Sequence, residues 1–257
     1  IIVDSSTISN TKVMGAWAWA AKITIQNSTV TNTTLTADSY HTEGMTISNS
    51  TVSNSTFYLG CCSAKIRLDT NTSISNSTIS GCCGSPVDGP LQLSYAQLTN
   101  TSVDLTSAQV TISDSTIAYN SSYTGTTRFK VGNGTMSYSR ITGNGSGTGL
   151  EVTGYAGYGA TGGFTISYSD ITGHDTGIIF SGGSGTFSIS NSNLNSNTTF
   201  SLKNMRTGSV TAQSNYWGST SSSTIGALIY DGVDDINYGN VDYTNFLSNT
   251  QAGTGPR

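Results

Sequence analysis

The segment Met45-Thr-Ile-Ser-Asn-Ser-Thr-Val52 is one copy of an eight-residue phrase that occurs ten times along the chain. The phrase reads apolar-x-apolar-Ser-(Asn/Tyr/Asp)-small-x-apolar. The copies begin on average about 22.7 residues apart, at Ser6, Ile23, Met45, Thr72, Leu91, Val110, Gly134, Phe164, Phe187 and Val210. One supersecondary unit therefore recurs over the whole sequence, which is typical of a repeat architecture.

The periodicity inside each unit identifies it as a rung of a parallel β-helix. Positions one and three are apolar, as a strand with one buried face requires, and the Ser-Asn-Ser that follows favours a turn because Asn tolerates a left-handed backbone. A second short strand follows, with apolar residues at Phe57 and Leu59, Val103 and Leu105, Leu150 and Val152, Ile178 and Phe180, and Phe200 and Leu202. A globular sandwich would not repeat one phrase ten times. The sequence therefore predicts an all-β, single-domain solenoid of about ten rungs.

Alignment of the copies assigns a role to three columns. The third column reads Ile8, Ile25, Ile47, Ile74, Leu93, Ile112, Met136, Ile166, Ile189 and Ala212. The eighth column reads Val13, Val30, Val52, Ile79, Leu98, Ile117, Ile141, Ile171, Leu194 and Trp217. The fifth column reads Asn10, Asn27, Asn49, Asn76, Tyr95, Asp114, Tyr138, Tyr168, Asn191 and Ser214. We predict two inward apolar ladders and one corner of stacked Asn or Tyr, in a rod about 45–50 Å long at about 4.8 Å per rung.

The composition of the 257 residues excludes several classes of protein. Only 9% of the residues are charged, while Ser, Thr and Asn together make up about two-fifths of the chain. The longest apolar stretch, Ala16–Ala21, is too short for a membrane span. The net charge of −4 does not favour binding to nucleic acid. It is also too small to keep the chain expanded, and the thirteen tyrosines favour a packed structure over disorder.

The cysteines and the glycosylation motifs predict an extracellular protein. Cys61-Cys62 and Cys82-Cys83 are two adjacent pairs, for which disulfides are the default in an oxidising compartment. The sequence leaves open whether these bridges form within one chain or between chains. The chain opens at Ile1 without Met or a basic segment, so we expect a mature product whose leader has been removed. Candidate N-glycosylation sites are Asn27, Asn32, Asn54, Asn71, Asn100, Asn120, Asn133, Asn144 and Asn197.

The C-terminal region carries a family resemblance. The runs Asn215-Tyr216-Trp217-Gly218-Ser219 and Val241-Asp242-Tyr243-Thr244-Asn245-Phe246-Leu247, with Ile229-Tyr230-Asp231 between them, resemble the right-handed parallel β-helix repeat proteins on bacterial and archaeal surfaces. The resemblance implies β-helix repeats over residues 1–214, and a last rung and C-terminal cap over residues 215–257. It implies that Trp217 plugs the last rung, with Tyr216, Asp231, Tyr243 and Phe246 as further cap residues. Many relatives are cell-envelope or adhesive proteins, and others are polysaccharide lyases and hydrolases.

Cleavage of a polysaccharide would require clustered carboxylates with a basic residue or a metal ion nearby. The cluster Asp231, Asp234 and Asp235 falls in the cap signature, which favours turn roles. His174-Asp175 resembles a polygalacturonase element, but the paired aspartates follow the His instead of preceding it. Arg140 and Asp170 share the seventh column in successive rungs, which predicts a surface ion pair. We therefore predict that the chain is not an enzyme and uses no cofactor.

Two binding chemistries are disfavoured by the residue pattern. Thr-x-Thr rows such as Thr29–Thr31 are similar to ice-binding faces, but the seventh column changes to Gln97, Arg140, Asp170 and Tyr216 in later rungs. The four cysteines could hold a soft metal as thiolates, but no histidine lies nearby and the compartment is predicted to be oxidising. We predict disulfides and no metal site.

The two ends of the predicted solenoid differ, and this difference indicates self-association. The N-terminus begins directly in strand-like residues, and an uncapped rung is an open edge able to pair with another chain. Trp17 and Trp19 lie in an apolar run, either as core fillers or as interface anchors. We expect a non-catalytic structural protein of the cell surface that assembles with itself, and also contacts cell-envelope glycans, in a layer, filament or sheath such as an archaeal sheath. The alternative is a secreted protein that binds or cleaves a polysaccharide.

Overall fold

A computed structural model describes residues 1–15, 22–37, 44–59, 66–69, 71–81, 91–123, 129–155 and 162–257. Over these residues the chain forms short strands and one helical turn. The strands are β1 Ile2–Asp4, β2 Thr7–Ser9, β3 Lys12–Gly15, β4 Ile23–Gln26, β5 Thr29–Thr31, β6 Thr34–Ala37, β7 Met45–Ser48, β8 Thr51–Ser53, β9 Thr56–Leu59, β10 Ile66–Leu68, β11 Ser73–Ser75, β12 Thr78–Gly81, β13 Leu91–Ser94, β14 Gln97–Thr99, β15 Ser102–Ser113, β16 Thr116–Ala118, β17 Phe129–Ser137, β18 Arg140–Thr142, β19 Thr148–Val152, β20 Phe164–Ser167, β21 Asp170–Thr172, β22 Thr176–Phe180, β23 Phe187–Ser190, β24 Phe200–Asn204, β25 Val210–Thr211, β26 Ile229–Tyr230 and β27 Val241–Asp242. The helix α1 spans Ser222–Gly226.

The strands stack into three parallel faces, which confirms the predicted parallel β-solenoid. Face 1 contains β1, β4, β7, β10, β13, the C-terminal part of β15 and of β17, then β20, β23, β25 and β27. Face 2 is a separate sheet of eight strands, β2, β5, β8, β11, β14, β16, β18 and β21. Face 3 contains β3, β6, β9, β12, the N-terminal part of β15 and of β17, then β19, β22, β24 and β26. The long strands β15 and β17 bend from face 3 into face 1 and join these two faces into one sheet of nineteen strands.

The number of rungs is lower than the ten predicted. Face 2 has eight strands, which we number as rungs one to eight from β2 to β21. The last two copies of the repeat continue this face only through isolated bridges, at Asn193 and at Tyr216. We refer to these as the two bridge rungs.

The core is a set of apolar columns that run along the rod. The face 2 column is Ile8, Val30, Val52, Ile74, Leu98, Ile117, Ile141 and Ile171. From Val30 onward each of these side chains is fully or almost fully buried. Parallel pairing places every member directly against its counterpart in the next rung, so that a rung buries its core mainly against its neighbours.

The predicted phase was wrong for two weaker copies of the repeat. Ile8 and Ile74 belong to the face 2 column, which is the predicted eighth column and not the third. Val13 and Ile79 lie on face 3 instead. The reason is that each rung has two similar turns, one after face 1 and one after face 2. Both follow a Thr-apolar-Ser or similar triplet, so the same phrase can be aligned with either turn.

The two turns form two corners with left-handed backbone. Corner one, between faces 1 and 2, holds Asn27, Asn49, Asn71, Tyr95, Asp114, Tyr138, Tyr168, Asn191 and Ser214. Corner two, between faces 2 and 3, holds Asn10, Asn32, Asn54, Asn76 and Asn100. Asn10 and Asn76 were therefore assigned to the wrong corner. The φ angles lie between 45° and 59°, a region that Asn adopts readily and Tyr rarely.

A buried serine ladder satisfies the backbone inside corner one. The Oγ of Ser139 donates to the Ser137 carbonyl oxygen at 2.7 Å and accepts from the Ser115 amide of the preceding rung at 3.1 Å. The same two bonds recur at Ser28, Ser50, Ser115, Ser169 and Ser192. Each small residue after the corner thus supplies a donor and an acceptor that the turning backbone lacks.

Candidate functional site

The first rung of the described residues has free strand edges on one side, and we call this side the open end. Within the described residues, β1, β2 and β3 each pair on one side only, with β4, β5 and β6 of the second rung. Strands paired on one side leave alternate N–H and C=O groups facing outward, and such an edge can be extended by another chain.

The apolar interior is accessible at this end. Val3, Ile8 and Val13 are the first members of three inner columns, and they are only partly buried. Their counterparts in the next rung, Ile25, Val30 and Leu35, are 0% exposed. Beside them Ile2 is 77% exposed, and Ile1 and Met14 are also exposed. The open end therefore combines unpaired strand edges with an uncovered cross-section of the core.

The opposite end is closed by the C-terminal cap. Trp217 extends the face 2 column and is buried, and its ring lies edge-on to Tyr243 with 6.5 Å between the ring centroids. The helix α1 places the buried Ile225 in the core cluster, and Ser221 caps its N-terminus. Phe246 packs partly buried against the same core, whereas Tyr216 is half-buried in the second bridge rung.

Asp231 holds the cap loop together. The residue is 4% exposed, and its carboxylate accepts from the Val241 amide at 2.6 Å and from the Val233 amide at 2.9 Å. Asp234 accepts from the Asp231 amide, and Asp235 accepts from the amide and side chain of Asn237. These carboxylates therefore occupy turn positions, next to a cavity of about 430 Å³ that Asp231 and Asp234 line with Ile229, Val241 and Tyr243.

The last ten residues, 248–257, run back along corner one as a strap. The Leu247 amide bonds the Asn215 carbonyl oxygen, and the Gly255 amide bonds that of Tyr168 at 3.0 Å. Arg257 reaches rung six, where its Nε and Nη2 donate to the two carboxylate oxygens of Asp114 at 2.7 and 3.1 Å. Sequence reasoning missed this contact. The available signal was that Asp114 is the one acid in a corner column of Asn, Tyr and Ser.

Arg140 and Asp170 pair as predicted, with the arginine exposed and the aspartate buried. Arg140 Nη2 lies 3.0 Å from Asp170 Oδ2. The carboxylate is buried, because the strap covers it, and its other oxygen accepts from Asn193 Nδ2 at 2.8 Å. The ion pair is therefore part of a hydrogen-bonded network between successive rungs.

The histidine of the predicted His174-Asp175 element points into the rod. His174 is 0% exposed, its Nε2 lies 3.4 Å from the Ile141 carbonyl oxygen, and its backbone amide donates to Asn197. Asp175 accepts hydrogen bonds from the hydroxyls of Thr198 and Thr199. The pair therefore has structural partners, and the imidazole has no contact with solvent.

The candidate glycosylation sites fall into three groups. Asn27, Asn32, Asn54, Asn71 and Asn120 are exposed, mostly at the corners, and Asn133 and Asn144 are half-buried. Asn100 and Asn197 are buried. The Asn197 side-chain amide bonds the carbonyl oxygens of Ile171 and Leu194, so that this side chain has a structural role in the folded chain.

Several predicted residues lie outside the described part of the chain. Cys61 and Cys62 fall between β9 and β10, and Cys82 and Cys83 between β12 and β13. Trp17 and Trp19 fall between β3 and β4. In the ranges that are described, no group of three or more His, Cys, Asp or Glu side chains could hold a metal ion, and no helix is long and apolar enough to cross a membrane.

Comparison with known proteins agrees with the architecture. A family model described as "right handed beta helix region" matches residues 1–161, which is more than half of the chain. A search of curated proteins gives no match.

Proposed function

The chain belongs to the right-handed β-helix family, and we propose that it is a non-catalytic structural protein of the cell surface that assembles with itself through its open first rung. The observation that carries the proposal is the contrast between the two ends. Val3, Ile8 and Val13 are accessible at the first rung, whereas Trp217 and the cap cover the core at the last. Stacking a second open rung on the first would bury these side chains and pair the free strand edges.

The symmetry of this contact follows from the location of the open edge. When two copies meet through the first described rung, both use the same surface, and their strands run antiparallel across a two-fold axis. Such a pair is closed. Growth into a layer, sheath or filament then requires a second contact, for which we propose disulfides between copies through Cys61, Cys62, Cys82 and Cys83.

The strands that flank the cysteine pairs in sequence support this proposal. The strands that flank them are neighbours in the stack, because β9 pairs with β12 and β10 pairs with β13. Both cysteine pairs therefore occur in connections from face 3 to face 1 of successive rungs. An extracellular location would keep such bridges oxidised.

The test is sedimentation velocity of the purified chain over a concentration series, with Ile8→Asp and Thr7→Asp as a matched pair. Ile8 lies in the core column, whereas the adjacent Thr7 points outward and is exposed. We expect the wild type and Thr7→Asp to associate and Ile8→Asp to remain at the monomer mass of 26.7 kDa. A wild type that stays monomeric at every concentration, with and without oxidant, would contradict the proposal.

The cysteine step has its own measurement. Oxidised native material should run as covalent oligomers in denaturing electrophoresis, and reducing agent should convert them to monomers. Monomeric migration of the oxidised material would mean that all bridges lie within one chain, and it would leave the open rung as the only proposed contact.

A second candidate function, binding of an envelope polysaccharide, is favoured by an aromatic cluster on face 3. The rings of Phe200 and Tyr230 meet edge to face with centroids 5.8 Å apart, and the Tyr238 ring is tilted against Tyr230 with centroids 6.0 Å apart. Lys203 Nζ lies 5.2 Å from the Phe200 centroid and 4.9 Å from that of Tyr230. Half-buried rings beside a charged group can stack on a sugar ring and bond its hydroxyls. Retardation in glycan-containing native gels that disappears in Tyr230→Ala would support this function.

A further inference from the structure

The strap fills a gap in the tyrosine column of corner one. Tyr138 and Tyr168 stack face to face in rungs seven and eight, with centroids 5.0 Å apart and planes 5° apart. In rung six the column holds Asp114, so the ring stack ends at Tyr138. The guanidinium of Arg257 stacks on Tyr138 at the position that a ring from rung six would occupy, 3.8 Å from the Tyr138 centroid.

The guanidinium is recognised by both shape and charge. Two of its nitrogens meet the two oxygens of Asp114, a bidentate contact that a planar fork can make and an ammonium cannot. Its flat face stacks on Tyr138, which adds a cation–π interaction. Asp114 is 6% exposed although it carries a charge. A buried carboxylate is costly unless it is paired, so this position requires a cation beside it.

The backbone of the strap is recognised as well. Asn193 is 7% exposed, and its side chain accepts from the Gln251 amide at 2.8 Å and donates to Thr254 Oγ1 at 2.8 Å. The Gly255 amide bonds Tyr168. A Cβ at Gly255 would lie 2.9 Å from Arg140 Nη2, and its φ of +79° is left-handed, so any other residue would be strained there. Corner one therefore contacts a glycine and an arginine at fixed positions of an extended segment.

We propose that corner one, from rung six to the first bridge rung, is a binding site for an extended peptide of the type Thr-Gly-x-Arg, and that residues 251–257 are its resident ligand. Three buried polar side chains face the strap: Asp114, Asp170 and Asn193. Two of them, Asp114 and Asn193, bond groups of the strap that lie 58 to 143 residues away in sequence, which is the relation of a receptor to a ligand. A peptide of the same chemistry supplied from outside can therefore occupy the site when the strap is absent.

The test uses the full chain with the strap released. The double variant Gly255→Val, Arg257→Ala removes the anchor and introduces a clash at the glycine position, which should vacate the corner. A fluorescein-labelled, amidated peptide of residues 249–257 is then titrated by fluorescence anisotropy. We expect saturable binding to the double variant and at least about tenfold weaker binding to the wild type, because the resident strap competes at a high effective concentration.

Variants of the peptide and of the protein test which contacts determine the affinity. A peptide with Arg257→Lys should bind more weakly and one with Arg257→Gln at least about tenfold more weakly, and Asp114→Asn in the double variant should abolish binding. Equal affinity for the Arg and Gln peptides, or no binding to a cooperatively folded double variant, would overturn the proposal.

A second measurement covers the case in which the double variant does not fold. In the otherwise unchanged chain, Asp114→Asn should increase hydrogen exchange at the amides of Gln251 and Gly255, whose bonds hold the strap. Unchanged protection of both amides would show that Asp114 does not anchor the segment, and would also overturn the proposal.

Discussion

The same substitution at two positions of one column should have unequal effects on stability. Ile8 and Ile74 both belong to the face 2 column, but Ile74 lies between Val52 and Leu98, whereas Ile8 contacts only Val30 within its column. Ile74 is 0% exposed and Ile8 is partly exposed. Replacement of a fully buried isoleucine by alanine costs about 2–5 kcal/mol, from lost transfer free energy and the cavity that remains.

We expect Ile74→Ala to cost about 3–4 kcal/mol of unfolding free energy and Ile8→Ala less than about 2 kcal/mol, because about half of its contacts are absent at the open end. The measurement is urea unfolding by circular dichroism at a concentration where the chain is monomeric. The difference between the two losses of unfolding free energy should be smaller under associating conditions, since a second copy then covers Ile8. A loss at Ile8 equal to that at Ile74 in the monomer would refute the inference that the first rung is open.

Three further predictions concern the polar contacts. The pKa of Asp114 is held below its ordinary value of 3.8 chiefly by hydrogen bonds from Arg257. The pair should therefore stabilise the fold fully above the ordinary pKa of the carboxyl and cease to do so as the pH falls through the lowered pKa, so that the melting temperatures of the wild type and Asp114→Asn converge at acidic pH. Asp231→Ala should cost about 1–3 kcal/mol in urea unfolding, since the buried Val241 amide and the Val233 amide lose their acceptor, and Asp231→Asn should cost less. Ser139→Ala should cost about 1–3 kcal/mol, whereas Ser137→Ala, which leaves the ladder intact, should change stability by less than about 0.5 kcal/mol. Equal losses at the two serines would show that the ladder bonds contribute little.

The sequence predicted the parts of the fold that depend on neighbouring rungs. Ile25 and Ile47 were placed correctly because the clear copies repeat with one phase, and parallel stacking then pairs them. The phase failed at Ile8 and Ile74, where two similar turns compete for one phrase. The adjacency of Arg140 and Asp170 followed from a shared column, but the burial of Asp170 did not, because it depends on the strap.

The strap could not be predicted from the sequence pattern, for a physical reason. Arg257 and Asp114 are 143 residues apart, and the strap crosses the rungs instead of joining their repeat. Periodicity identifies contacts between equivalent positions of successive units, whereas this contact joins a unique segment to a single irregular position. A buried acid in an otherwise neutral corner column indicates that a cation must come from elsewhere in the molecule, but not which one.

The strap and the open rung together determine where the solenoid can interact. Stability in a stack of rungs is the sum of each rung and its interfaces with the two neighbours, so an end rung that lacks one neighbour is the least stable. At the C-terminal end the cap and the strap supply the missing contacts, and the strap extends this support down to rung six through Arg257. Nothing equivalent covers the first rung within the described residues.

Release of the strap should therefore destabilise the C-terminal rungs without affecting association through Ile8. Hydrogen exchange on Arg257→Ala should show faster exchange confined to rungs six and above, while the association of this variant in sedimentation velocity matches that of the wild type. Loss of association in Arg257→Ala would mean that the strap, and not the open rung, joins the copies.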